Sequence, residues 1–286
     1  MIFYYQPITM NSLTMSIDNI VLDVCIPRQE IRDLLETIIL SMANSKKLSI
    51  VIWESRKPGT FGHQTLFKLD NERSFWLGQG LIGNGTLVDR YRLDANPNKV
   101  GNDPNFKIIQ EFLVRNSRQN FCRISRFDLA IDIPIDRDKC FLVKDRRTYI
   151  EKRHGVEFTQ YLGSKSSQVG RVKLYNKAAE AKLSNPLTRL ELTLDPSIPY
   201  DEINFPKVYC LEDKQLLSDE VRVTDTERFI LNAILQGCGS LTYLGRKTRT
   251  KIEMLQQNYV NKIIVTKESY DQILKYLNNE YLLQKM

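Results

Sequence analysis

Arg126-Phe127-Asp128-Leu129-Ala130-Ile131-Asp132 reads as a strand with two opposite characters. Side chains alternate across a β-strand. Phe127, Leu129 and Ile131, continued by Ile133, therefore point to one face, and Arg126, Asp128, Ala130 and Asp132 to the other. The first face is core. The second carries two carboxylates with an alanine between them, and acids on a half-buried strand need a partner for their charge. A divalent cation held by oxygen ligands is one such partner. Arginines on the same faces are the other, and this stretch alone leaves both readings open.

Downstream, Leu187-Thr188-Arg189-Leu190-Glu191-Leu192-Thr193-Leu194 repeats the pattern, with Leu190, Leu192 and Leu194 facing the core and Arg189, Glu191 and Thr193 facing away. Between the two lie a strand pair over Thr148–Lys152 and Val156–Leu162, turning at His154-Gly155, and a small polar loop over Gly163–Gly170. A further alternating strand, Arg171–Tyr175, follows the loop. Asp136–Lys144 reads as a short helix.

Upstream, Leu13–Ile26 reads as a first strand. Pro27-Arg28 then opens an amphipathic helix with Ile31, Leu34, Leu35, Ile38, Ile39 and Met42 on one stripe. Ser49–Trp53, Gln64–Asp70, Arg73–Leu77 and Thr86–Leu93 are strand-like, and Phe106–Val114 has helical spacing. Asp195-Pro196 and the Pro199–Pro206 region read as a boundary. Amphipathic helices follow at Asp225–Leu235, Lys247–Gln257 and Lys267–Leu283. The fold expected is α+β: a mostly antiparallel central sheet with flanking helices over 1–204, then a helical C-terminal region over 205–286.

Gly78-Gln79-Gly80-Leu81-Ile82-Gly83 spells GxGxxG. A dinucleotide fingerprint needs a helix opening directly after it, whereas here the Asn84-Gly85 turn signal and another strand follow. A flexible loop between strands is the expectation.

The chain has 286 residues and a net charge of +7. The segment from Arg137 to Lys182 holds 12 Lys/Arg against 5 Asp/Glu, so its excess equals that of the whole chain. An excess gathered in one place is the electrostatic footprint expected of a polyanion-binding surface such as one for nucleic acid. Five scattered cysteines without CxxC spacing fit reduced thiols in a cytoplasm and speak against a zinc ribbon or a disulfide framework. No apolar run reaches membrane-spanning length, and Met1–Pro7 is too short and lacks the positive flank of a secretory signal.

If the two acidic strands neighbour each other, Asp128, Asp132 and Glu191 converge on a site for Mg²⁺ or Mn²⁺. The competing reading pairs these acids with Arg126 and Arg189. Tyr175 closes its strand beside Lys173 and Lys177. A phenol ionises near pH 10, but nearby lysines favour the phenolate, and a metal eases attack on phosphorus. Together these residues describe a phosphodiester transesterase in which tyrosine retains one phosphate. With 13 tyrosines, most must pack, and Tyr161 is a competitor for the role. His63 and His154 are isolated, which disfavours Ser/His/Asp and Cys/His hydrolases.

The ordered series Arg-Phe-Asp-Leu-Ala-Ile-Asp (126–132), Tyr-Leu-Gly-Ser (161–164), Arg-Val-Lys-Leu-Tyr-Asn-Lys-Ala-Ala-Glu (171–180) and Arg-Leu-Glu-Leu-Thr-Leu (189–194) resembles the Rep_trans family. These are rolling-circle replication initiators of small plasmids, akin to relaxases of integrative conjugative elements. The likeness runs from about Leu13 to Lys251, is dense between Arg126 and Leu194, and resumes at Arg246–Lys251.

The resemblance implies a nicking core like that of the HUH enzymes but without the histidine pair. Tyr175 would be the nucleophile, with Lys173, Lys177 and Arg189 in support, and Asp128, Asp132 and Glu191 would hold the metal. It also implies a 5′-phosphotyrosyl link to origin DNA that is hairpinned and single-stranded at the nick, with a free 3′-OH left as primer. A homodimer, a host PcrA-type helicase and origin recognition or capping by 205–286 are further implications. Arg171, Arg246, Lys247, Arg249 and Lys251 are the expected DNA contacts. A mobile-element relaxase and a DNA-binding protein that has lost catalysis are the alternatives.

Overall fold

The computed structural model describes residues 8–10, 13–44, 48–57, 59–83, 86–118, 121–155, 157–164, 169–211, 223–235 and 238–282. Strands β1 (Ile8–Met10) and β2 (Leu13–Cys25) lead into helix α1 (Gln29–Asn44). Leu35, Ile39 and Met42 of α1 are buried, whereas Leu34 is exposed, so the apolar stripe is narrower than the sequence suggests. Next come β3 (Ser49–Glu54), β4 (Phe61–Lys68), β5 (Ser74–Gly83) and β6 (Thr86–Ala95). A short helix α2 (Pro97–Val100) precedes α3 (Pro104–Asn116). Asp103 caps α3 by accepting from the Asn105 and Phe106 amides, and Pro104 begins its first turn.

Then follow β7 (Arg123–Ile133), β8 (Cys140–Leu142), the hairpin β9 (Tyr149–His154) and β10 (Glu157–Leu162), β11 (Val172–Asn176), α4 (Lys177–Ala181) and β12 (Thr188–Leu194). The chain ends with β13 (Val208–Leu211), α5 (Asp225–Leu235), α6 (Arg246–Tyr259), β14 (Val260–Ile263) and α7 (Lys267–Tyr281). The large sheet has the strand order β3-β4-β5-β6-β2-β7-β12-β11-β10-β9, with β1 against β2, and a second sheet has the order β14-β13-β8. The pairings with a resolved register are antiparallel. The fold is α+β with a largely antiparallel sheet.

The chain groups into two compact units that interleave along the sequence rather than dividing at 204/205. The first comprises Ile17–Leu129, Leu194–Tyr200 and Glu268–Met286. Its core is aromatic: Phe67 and Phe75 are cross-strand partners with rings stacked at 4.4 Å, and Phe106 from α3 meets Phe75 edge-on at 5.4 Å. Asp23 is buried on β2 opposite Arg92, and both Arg90 and Arg92 donate to it. The second unit comprises Met1–Ser16, Ala130–Thr193 and Asp201–Lys267. In it, Phe141, Leu231, Leu235, Ile252 and Leu255 form a core that joins β8, α5 and α6.

Three expectations are corrected. Gly78–Gly83 is strand, not loop. A Cβ at Gly78 would collide with the Trp76 and Phe61 rings, and Gly80 takes a positive φ of 63° at a register shift between Gln79 and Leu81. These glycines make room for packing and a bulge. Asp136–Lys144 is a single 3-10 turn at Arg137–Lys139 followed by β8, because Cys140, Phe141 and Leu142 are all buried in a sheet. The C-terminal region is not purely helical, since β13 and β14 pair with each other and β13 with β8. Among the described residues no helix is long and apolar enough to cross a membrane.

Candidate active site

In the second unit, β11 and β12 pair with Lys173 opposite Glu191 and Tyr175 opposite Arg189. Cross-strand partners share a face, so alternation gathers these four polar residues on one side. Leu174, Leu190 and Leu192 are buried on the other. Asp132, near the end of β7, joins them because β7 neighbours β12 in the sheet.

Two clusters result. Arg189 grips Asp132 in a two-pronged pair, Nε and Nη2 donating to the two carboxylate oxygens at 2.6 and 2.7 Å. This geometry is among the strongest a guanidinium makes. Beside it, the Tyr175 hydroxyl donates to Glu191 Oε1 at 2.6 Å, while Lys173 Nζ stands 3.4 Å from Glu191 Oε2 and 3.6 Å from the centre of the Tyr175 ring.

Tyr175 is 5% exposed. Burial is the largest influence on its phenol and pushes it well above the ordinary value of 10. The Glu191 charge, the hydrogen bond to Glu191 and the Glu180 charge act the same way, and Arg189 acts against them. The sequence reading, in which flanking lysines favour a phenolate, is thus reversed. Lys173 lies over the ring, and Lys177, the first residue of α4, turns aside to Glu180 at 2.5 Å.

Glu180 is the residue that sequence reasoning missed. Burial raises its carboxyl, but the hydrogen bond and charge of Lys177 more than offset that, and it rests below its usual value. Its signal was present in sequence: a helix starting directly after β11, capped by Asn176 accepting from the Ala179 amide, carries position 180 back toward the strand end.

Among the described residues no group of three or more His, Cys, Asp or Glu side chains lies close enough to hold a metal ion. The carboxylates expected to share one are engaged separately, Asp132 by Arg189 and Glu191 by Tyr175 and Lys173. Asp128 is half-buried on β7 within the first unit. As arranged, these residues do not fit a three-carboxylate metal centre.

The expected DNA contacts divide as well. The Arg171 guanidinium lies 5.1 Å from the Tyr161 ring centre, with Lys152 Nζ 6.0 Å from the same ring. Register places Tyr161 opposite Lys173, on the face that carries Tyr175. Arg246 and Lys247 are exposed at the start of α6, while Arg249 pairs with Glu253 and Lys251 with Glu227. Residues 165–168 of the polar loop lie outside the described residues.

No family model matches the sequence, and no curated protein matches it. Among solved structures, a rolling circle replication initiator protein from Geobacillus stearothermophilus is similar over 96% of this chain and 100% of its own, at 12% identity and a TM-score of 0.37. So low a score carries no inference about chemistry.

Proposed function

We propose that this chain is a DNA nicking-closing enzyme of the rolling-circle initiator type, with Tyr175 as nucleophile and Glu191 as its general base. The observation that carries the reading is the 2.6 Å hydrogen bond from the phenol to Glu191, on the face where the ordered motifs converge. A phenol held protonated by burial cannot act as a standing phenolate, so its proton must leave as the bond to phosphorus forms. Glu191 is in place to take it.

In the proposed step Tyr175 Oη bonds to the scissile phosphorus and the P–O3′ bond breaks. The phenol proton leaves Oη for Glu191; the departing 3′-oxygen takes a proton from solvent water, and Glu191 afterwards returns one to solvent, so the step balances. Lys173 stabilises the charge that develops on the phosphoryl oxygens. Arg189, fixed by Asp132, holds the floor of the site. Tyr161, flanked by Arg171 and Lys152, offers a ring on which a base of the single strand stacks, with cations for the adjoining phosphates.

The substrate proposed is origin DNA, single-stranded at the nick. A homodimer and a PcrA-type helicase as partner rest on the motif resemblance alone, as does Mg²⁺ or Mn²⁺. Before either could bind a metal, Asp132 and Glu191 would have to exchange their present partners.

A second reading, a DNA-binding protein without catalysis, is favoured by one observation: the low exposure of Tyr175. Denaturing electrophoresis separates the two readings. Incubation with a labelled origin oligonucleotide and Mn²⁺ should yield a slow, denaturant-resistant protein–DNA band that Tyr175→Phe lacks. Binding that is retained with no such band from the wild type would select the second reading.

A further inference from the structure

The mechanism leaves one buried nucleophilic pair unused. Cys140 on β8 and Cys210 on β13 are each 1% exposed, and their sulfurs are 3.4 Å apart. They are also direct cross-strand partners. The Val143 amide donates to the Lys207 carbonyl, which makes that pair a hydrogen-bonded one. Counting back along the register, Leu142–Val208 is non-hydrogen-bonded, Phe141–Tyr209 hydrogen-bonded and Cys140–Cys210 non-hydrogen-bonded. At non-hydrogen-bonded positions of an antiparallel pair the Cα atoms approach to about 4.5 Å and the side chains are closest. That spacing lies inside the range a disulfide spans, so closure needs side-chain rotation rather than backbone movement.

We propose that Cys140 and Cys210 form an oxidisable dithiol that a small peroxide converts to an intramolecular disulfide. The sulfur of one cysteine, as thiolate, attacks a peroxide oxygen. The O–O bond breaks and a sulfenic acid forms with release of water. The second sulfur then displaces the sulfenic oxygen as a second water. Two thiols lose two electrons in all, and hydrogen peroxide is reduced to two waters. Cys140 is the better first nucleophile: its hydrogen bond with Cys210 holds its thiol below the ordinary value against the opposing effect of burial, with the buried Arg137 acting the same way.

The position of the bond gives it a consequence. β9, β10, β11 and β12 all lie between residues 140 and 210, so the ring that the bond closes contains Lys173, Tyr175, Arg189 and Glu191. Cross-linking the ends of that segment restricts its unfolding. The candidate site is thereby stapled without a change in the residues that line it.

The test uses the full native chain. After brief exposure of the folded chain to hydrogen peroxide, quenching with N-ethylmaleimide in denaturant and proteolysis, mass spectrometry should find the Cys140 and Cys210 peptides joined, about 2 Da lighter than their sum. Dithiothreitol should reverse the link, and the oxidised chain should show slower amide exchange in β11 and β12. Recovery of both cysteines as maleimide adducts while exposed Cys238 is oxidised would overturn the proposal. So would cross-links dominated by Cys25, Cys122 or Cys238.

Discussion

At the scale of single residues, the proposed chemistry rests on the tyrosine–carboxylate contact. Replacing Glu191 by Gln keeps a hydrogen-bond acceptor at the phenol but removes the base, so nicking should fall by about 100-fold or more while DNA binding persists. Steady-state rates on a labelled oligonucleotide measure this, and an unchanged rate would remove Glu191 from the role. The phenol also makes a stability prediction. Its value is raised in the folded chain, so its contribution is complete below the ordinary tyrosine value of 10 and declines as the pH climbs above it. Urea midpoints should therefore drop more steeply above pH 10 for the wild type than for Tyr175→Phe. Parallel pH profiles would contradict the burial of this group. That Lys173 and Tyr175 share one face of their strand, and Arg189 and Glu191 one face of theirs, was legible in the sequence, because alternation fixes which face each takes. The competing reading, in which arginines pair with the acids, is met by Arg189. That it takes Asp132 rather than Glu191, two residues away, follows only from the order β7-β12-β11. Glu180 was hidden for a similar reason, since its approach depends on where a helix of five residues begins.

At the scale of elements, the long strands and helices followed their periodicity, and the failures have physical causes. The strands β8, β13 and β14 are three or four residues long and pair with segments far away in sequence, so no local pattern marks them. In β5 the glycines suggested a loop, but Gly78 is demanded by the rings it lies against. Gly78→Val should overpack that spot and cost about 2 kcal/mol, read as a lower urea midpoint with an unchanged slope. A neutral result would mean that the Trp76 and Phe61 rings can move aside. On β2, burial raises the Asp23 carboxyl but Arg92 and Arg90 more than offset it, leaving it below its ordinary 3.8. Its stabilisation is therefore present above that pH and lost as the pH falls through the lower folded value. Asp23→Asn leaves two guanidiniums without their shared anion and should cost about 3 kcal/mol at neutral pH. The difference from wild type should shrink in strong acid, and a constant difference across that range would contradict the assignment.

At the scale of the whole molecule, the net charge of +7 matches the excess of the segment from Arg137 to Lys182. That segment supplies β8 to β11 and α4, including the strand that carries the phenol. If this surface holds a single strand, affinity should fall steeply with salt. Replacing Lys152 and Arg171 together by Gln should reduce the logarithmic salt slope by about 1.4, from two lost phosphate contacts. Fluorescence anisotropy with a single-stranded origin oligonucleotide reads the slope, and an unchanged value would move the binding surface elsewhere. Catalysis by Tyr175 requires that its phenol become esterified. The most direct measurement is therefore mass spectrometry of the proteolysed reaction with a suicide oligonucleotide. The peptide containing Tyr175 should carry the nucleotide through a 5′-phosphate. An adduct on Tyr161 or another residue, or cleaved DNA with every tyrosine unmodified, would contradict it.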